Sequence, residues 1–202
     1  MRLRADGASQ GEEIGLANER KYLQIPISWS DRHRTLLYQY GSQTWKFSLE
    51  EEKAERFLGL EGATLREARF SPDETHVAYR SDETGRDEIY VVPFPGPGGK
   101  WQISTEGGAQ PMWSPKGGEL YYMNGNRMMA VEVRTSPRFH GGAPRVLFET
   151  ELPESSPGDP SRYGVAPDGR FLIIARAPDV EDGDKPEIHV IVNWLETLRD
   201  KR

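Results

Sequence analysis

The sequence predicts an all-β fold, a β-propeller of about four blades of antiparallel strands that closes fully or forms a partial ring. Three observations lead there. Four segments share one pattern, an aromatic or apolar residue followed by Ser-Pro-Asp-Gly-like residues: Ile27-Ser28-Trp29-Ser30-Asp31, Ala68-Arg69-Phe70-Ser71-Pro72-Asp73, Pro111-Met112-Trp113-Ser114-Pro115-Lys116 and Tyr163-Gly164-Val165-Ala166-Pro167-Asp168-Gly169. Their anchors, Trp29, Phe70, Trp113 and Val165, lie 41, 43 and 52 residues apart, close to the roughly 40–45 residues of a four-stranded propeller blade. Each turn then runs into a β-rich segment, and 21 glycines and 15 prolines in 202 residues exceed the roughly 12% of average usage, as many short elements require. A β-sandwich also has short strands and turns, but it does not repeat one turn at fixed spacing.

The elements follow in order. Residues 1–11 read as a polar tail, and 12–17 as a spare strand. The first blade, 24–60, ends its first strand at Trp29 and continues with strands at 35–40, 44–49 and 54–60. The second, 65–105, is anchored by Phe70 and continues at 76–80, 88–94 and 99–105. The third, 109–150, is anchored by Trp113, with strands at 119–123, 127–134 and 144–150. The fourth, 161–194, supplies strands ending at Val165 and covering 170–175 and 187–194. Turn-rich stretches at 136–143 and 153–161 account for the longer last interval. Only 195–202 has the pattern of a short helix, its last four residues forming a tail. The turn chemistry is physical: Pro72, Pro115 and Pro167 preset φ, Asp73 and Asp168 bond nearby backbone, and glycine accepts positive φ. Trp29, Phe70 and Trp113 are expected at equivalent positions, buried between neighbouring blades.

At these residues the sequence resembles the TolB-like, WD-repeat-like bacterial propellers. The block from Ala68 through Asp73, Ser81-Asp82-Glu83-Thr84-Gly85-Arg86-Asp87 and on to Trp101-Gln102-Ile103-Ser104 is similar to the propeller region attached to many bacterial Ser/Thr protein kinases. Leu120-Tyr121-Tyr122, Met128 to Val133 and Val192-Asn193-Trp194 fit the same pattern. The likeness spans about 12–198 and is sharpest in the second and third blades. Blade one lacks the turn proline, Glu74 replaces the turn glycine of blade two, and Lys116 replaces the aspartate of blade three. The resemblance implies a non-catalytic interaction module, the sensor or scaffold part of a signalling protein. Two other readings are the substrate-filtering propeller of a serine peptidase and a truncated propeller without independent function.

Two closures fit. The strand at 12–17 completes the fourth blade in a four-bladed ring and hides two sheet edges, or the blades form an open arc of a larger ring that pairs as a homodimer.

The chemistry expected is binding rather than catalysis. No kinase loop occurs, and Asp31-Arg32-His33-Arg34 has the catalytic-loop letters in the wrong order. Gly7-Ala8-Ser9-Gln10-Gly11 matches a nucleophile pattern but lacks the strand before it. With no cysteine and with His33, His76, His140 and His189 far apart, neither thiol chemistry nor a zinc site is expected. The acidic run at 179–184 misses the register of a calcium loop. No cofactor is therefore expected. A net charge of −6 argues against nucleic acid, and no apolar run is long enough to insert in a membrane. A cytoplasmic location is expected for the chain as written, with an upstream anchor possible in a longer parent. The loops between second and third strands share one face and carry Asp82, Glu83, Asp87, Asp179, Glu181, Asp182 and Asp184. A face of that sign is expected to attract a protein or peptide partner of cationic character.

Overall fold

The structure, a computed structural model, describes residues 22–96, 98–150 and 161–173. Those residues form a β-propeller built of antiparallel blades. The first blade runs β1 (Gln24–Ser30), β2 (Thr35–Tyr40), β3 (Gln43–Ser48) and β4 (Lys53–Leu58), each paired with the next. The second repeats that order with β5 (Leu65–Phe70), β6 (His76–Ser81), β7 (Glu88–Pro93) and β8 (Trp101–Gln102). The third orders β9 (Ala109–Trp113), β10 (Glu119–Asn124) and β11 (Arg127–Arg134) in the same way. Its last position is shared by β12 (His140–Gly141) and β13 (Arg145–Glu149), which pair with different halves of β11. The fourth blade is seen as β14 (Tyr163–Val165) and β15 (Phe171–Ile173). The expected elements at 12–17, 187–194 and 195–202 and the tail at 1–11 lie outside the described residues.

The core sits between blades because a strand's side chains alternate between its two faces. On β6, Val77 and Tyr79 pack toward blade one with Leu37, Leu65 and Phe70, while Ala78 packs toward blade three with Ile89, Val91 and Trp113. On β10, Leu120 and Tyr122 face blade two, and Tyr121 and Met123 face blade four with Phe171 and Ile173. A central blade is thus buried on both faces: every residue of β6 is buried, as are Leu120 to Met123 of β10. Each large aliphatic side chain buried this way contributes about 1.5–3 kcal/mol.

The three anchors do not share one environment. Phe70 stands edge-on to Phe94 at 4.8 Å, and Trp113 packs into the layer between blades two and three while its indole Nε1 donates to the Arg69 carbonyl at 3.0 Å. Trp29 departs from the expected burial, being 38% exposed. The physical reason is directional: each anchor packs on the blade before it, and no blade precedes β1 among the described residues. Its indole donates instead to Asp31 at 2.7 Å, with the Arg34 guanidinium 5.7 Å from the ring centre.

Two further differences concern strands. β8 has two residues where 99–105 was expected: past Gln102 regular pairing gives way to a shared acceptor, the Ile89 carbonyl taking the Ile103 and Ser104 amides at 2.7 and 3.5 Å. Ile103 joins the core, and the Ser104 hydroxyl donates to buried Glu88. The stretch 136–143 is not all turn: Phe139 packs at a tilt against Trp101, 4.6 Å between ring centres, and β12 pairs with β11.

The odd turn residues join blades. Glu74, at φ 57°, sits in the left-handed region that glycine would favour. Its carboxylate accepts from Ser30 Oγ and from the Arg32 amide, and its carbonyl lies 3.1 Å from His33 Nε2. Arg32 and Lys116, each three residues past an anchor, donate to the carbonyls of Asp73 and Asp168 in the following blades at 3.5 and 2.7 Å.

Candidate functional site

β1, β5 and β9 are the edges of their sheets and face one another across the blades. Each is bulged near its start: the register slips at Pro26–Ser28, at Arg66–Arg69 and opposite Tyr121–Met123. A bulge re-aims side chains and increases local twist. At the equivalent positions three residues before Phe70 and Trp113, Glu67 and Gln110 adopt φ 58° and 57°, uncommon for residues with a Cβ. Blade one has Pro26 there, whose ring excludes positive φ, and its slip falls at Ile27 instead.

The bulges turn Glu67 and Gln110 into connectors. Glu67 Oε2 accepts the Gln110 amide at 2.6 Å, and its Oε1 accepts Arg80 Nη1 at 3.2 Å. Arg80, only 4% exposed, also donates to Asp87. Burial by itself lowers the pKa of this guanidinium, but Asp87 and Glu67 outweigh it and the net shift is upward. Arg69 donates to the Ile27 carbonyl of blade one, and its pKa is lowered by burial despite nearby Glu67. Toward blade four, Gln110 Oε1 accepts the Arg162 amide at 3.2 Å, and the buried Tyr163 hydroxyl donates to the Gln110 carbonyl at 2.7 Å. Burial holds that phenol well above its ordinary pKa, so it stays protonated as a donor. One run of hydrogen bonds therefore crosses all four blades along their first strands.

Over this run lies a cavity of about 340 Å³, within the size range of small-ligand pockets. Ile25, Pro26, Ile27 and Pro111 form apolar wall, Arg66, Glu67 and Arg69 bring charge, and Gln39, Gln110 and Ser161 complete the lining. Most of the lining comes from β1, β5 and β9, and Gln39 stands near the end of β2, so the cavity lies toward the face that also holds the loops between second and third strands.

Three of the acidic residues expected on that face, Asp82, Glu83 and Asp87, have partners of their own. Asp82 accepts the Thr64 amide at 2.7 Å and fixes the approach to β5. Glu83 pairs with Lys100 and accepts from Ser81, while Asp87 pairs with Arg80. Asp179, Glu181, Asp182 and Asp184 lie outside the described residues. Among the turn anchors, Asp73 is bonded by Ser71, Thr75 and Thr135, and Asp168 pairs with Arg170 at 2.6 Å. Pro72, Pro115 and Pro167 stand in the exposed turns. Among the described residues no three His, Asp or Glu side chains cluster as metal ligands, and no helix is long and apolar enough to cross a membrane.

Sequence reasoning did not single out Gln39, Arg66, Glu67, Arg69 or Gln110. The signal available was positional, since Glu67 and Gln110 stand at one repeat position where a strand would ordinarily alternate.

Comparisons place the fold. No family model matches the sequence, and no curated protein matches it. Among solved structures, TolB from Acinetobacter baumannii superposes with a TM-score of 0.60 at 19% identity, over 81% of this chain and 40% of that one. The β-propeller domain of Cps50 (Swd1) from Myceliophteria thermophila gives 0.53 at 16% identity, over 83% of this chain and 55% of that one. The likeness is of fold. The chain spans about two fifths of that TolB and little more than half of that Swd1 domain.

Proposed function

We propose that this chain is a non-catalytic interaction module, the sensor or scaffold part of a signalling protein, and that it binds a peptide or protein segment in the cavity over its first strands. The observation that carries this reading is the cavity itself. Four blades contribute to it, it is partly apolar with a few convergent polar groups, and it is held in shape by the inter-blade hydrogen bonds of Glu67, Arg69 and Gln110. Strained backbone next to a pocket, as at Glu67 and Gln110, is a pattern that accompanies ligand sites. The mixed lining, apolar at Ile25, Pro26, Ile27 and Pro111 and polar at Gln39, Arg66 and Ser161, supports a peptide in particular, whose side chains and polar backbone match both. The likeness of the second-blade block to kinase-attached propellers supports a signalling context.

The reading is tested by panning a random displayed-peptide library on the chain and repeating the binding with Ser161→Trp, which adds bulk at the exposed rim. Enriched peptides that lose binding to this variant, at unchanged melting temperature, are the expected result. Binders indifferent to Ser161→Trp would contradict the location. ATP hydrolysis or peptide cleavage abolished by one substitution would contradict the non-catalytic role.

A further inference from the structure

We infer that the cavity takes the C-terminal end of an apolar peptide, with its terminal carboxylate paired to Arg66; this rests on reading the cavity as the binding site. The charged lining residues are Arg66, Glu67 and Arg69, and they are not equally engaged. Both carboxylate oxygens of Glu67 are occupied, one by Arg80 and one by the Gln110 amide. Arg69 turns its Nη1 to the Ile27 carbonyl. Arg66 is half-buried on β5 and, among the described residues, has no ion-pair partner. Two arginines against one glutamate leave the lining with a net positive charge, centred on Arg66 beside the apolar wall, although the whole chain carries −6.

A guanidinium presents a planar fork of donors that matches a carboxylate with two parallel hydrogen bonds. Ile25, half exposed at 50%, stands with Pro26, Ile27 and Pro111 where side chains of the last residues would lie. The backbone beside a terminal carboxylate has amides to offer the polar lining at Gln39 and Ser161, which a free fatty or aromatic acid lacks. About 340 Å³ limits the occupant to a short segment.

The test uses N-acetyl-Leu-Ala as the free acid, the same dipeptide as its C-terminal amide, and N-acetyl-Leu-Asp amide, titrated calorimetrically at millimolar concentration. The free acid is expected to bind about tenfold or more tighter than the Leu-Ala amide, the scale of one charge-assisted pair, and more tightly than the Asp peptide. Arg66→Gln should erase the preference and Arg66→Lys should keep part of it, both at unchanged melting temperature. Equal binding of acid and amide, an Arg66→Gln variant that keeps the preference, or no binding of any of the three would overturn the inference. Equal binding that Ser161→Trp abolishes would do so while leaving the cavity as the binding site.

Discussion

Asp73 shows how much one turn residue does in this repeat. Its Oδ1 accepts from the Ser71 hydroxyl at 2.6 Å and the Thr75 amide at 3.2 Å, and its Oδ2 accepts from Thr135 of the third blade at 2.6 Å. Burial alone would raise its pKa, but these hydrogen bonds outweigh it and bring the carboxyl to about 2. A carboxylate whose folded pKa is depressed stabilises the fold above its unfolded value, ordinarily about 3.9, and that contribution is lost as pH falls through about 2. Melting temperature followed from pH 5 to pH 2 should fall more steeply for the parent chain than for Asp73→Asn, and parallel curves would contradict this assignment. The aspartate was legible in the sequence as a turn former. Its reach to Thr135 was not, because that contact joins residues of different blades that no local pattern relates. Arg66, Glu67 and Gln110 escaped for a similar reason: a bulge changes which way a strand residue points without changing the residue.

At the scale of elements, the repeat is directional. Each blade's first strand ends in a large anchor that packs on the blade before it, so burial of equivalent residues depends on what precedes them. Phe70 and Trp113 are 9% and 6% exposed, whereas Trp29 is 38% exposed. Trp113→Ala should cost about 3–5 kcal/mol, the usual range for emptying a buried aromatic site. Trp29→Ala should cost about 1 kcal/mol, as it removes a partly solvated ring and little packing. Urea unfolding monitored by far-ultraviolet circular dichroism measures both, and equal losses would contradict the directional packing. The second and third strands were readable from apolar runs and from the Gly- and Asn-bearing turns between them. The last strands were harder, since β8 keeps only Trp101–Gln102 in the ladder. There the demand of Glu88 for the Ser104 hydroxyl and the Gly107 amide overrides strand propensity.

At the scale of the whole molecule, the described residues form a row of blades whose apolar layers lie between neighbours and whose strands β1, β5 and β9 line a common cavity. Its inter-blade bonds recur at two levels, the turns through Arg32, Glu74 and Lys116, and the first strands through Arg69, Glu67 and Gln110. Four-fold repetition was visible in the spacing of the turns, and it carried the fold class. The cavity was invisible there, because it exists only once β1, β5, β9 and Ser161 are brought together. The superposition on two fifths of a TolB chain fits a set of blades arranged as in a longer propeller.

The central claim is that ligands bind where the first strands meet. Backbone amide NMR of the isotopically labelled chain, titrated with N-acetyl-Leu-Ala, tests it most directly. The account predicts shift changes concentrated at Ile25, Ile27, Gln39, Glu67 and Gln110, with β4 and β13 unaffected. Changes centred on the outer strands, or on the exposed face of Trp29, would contradict it.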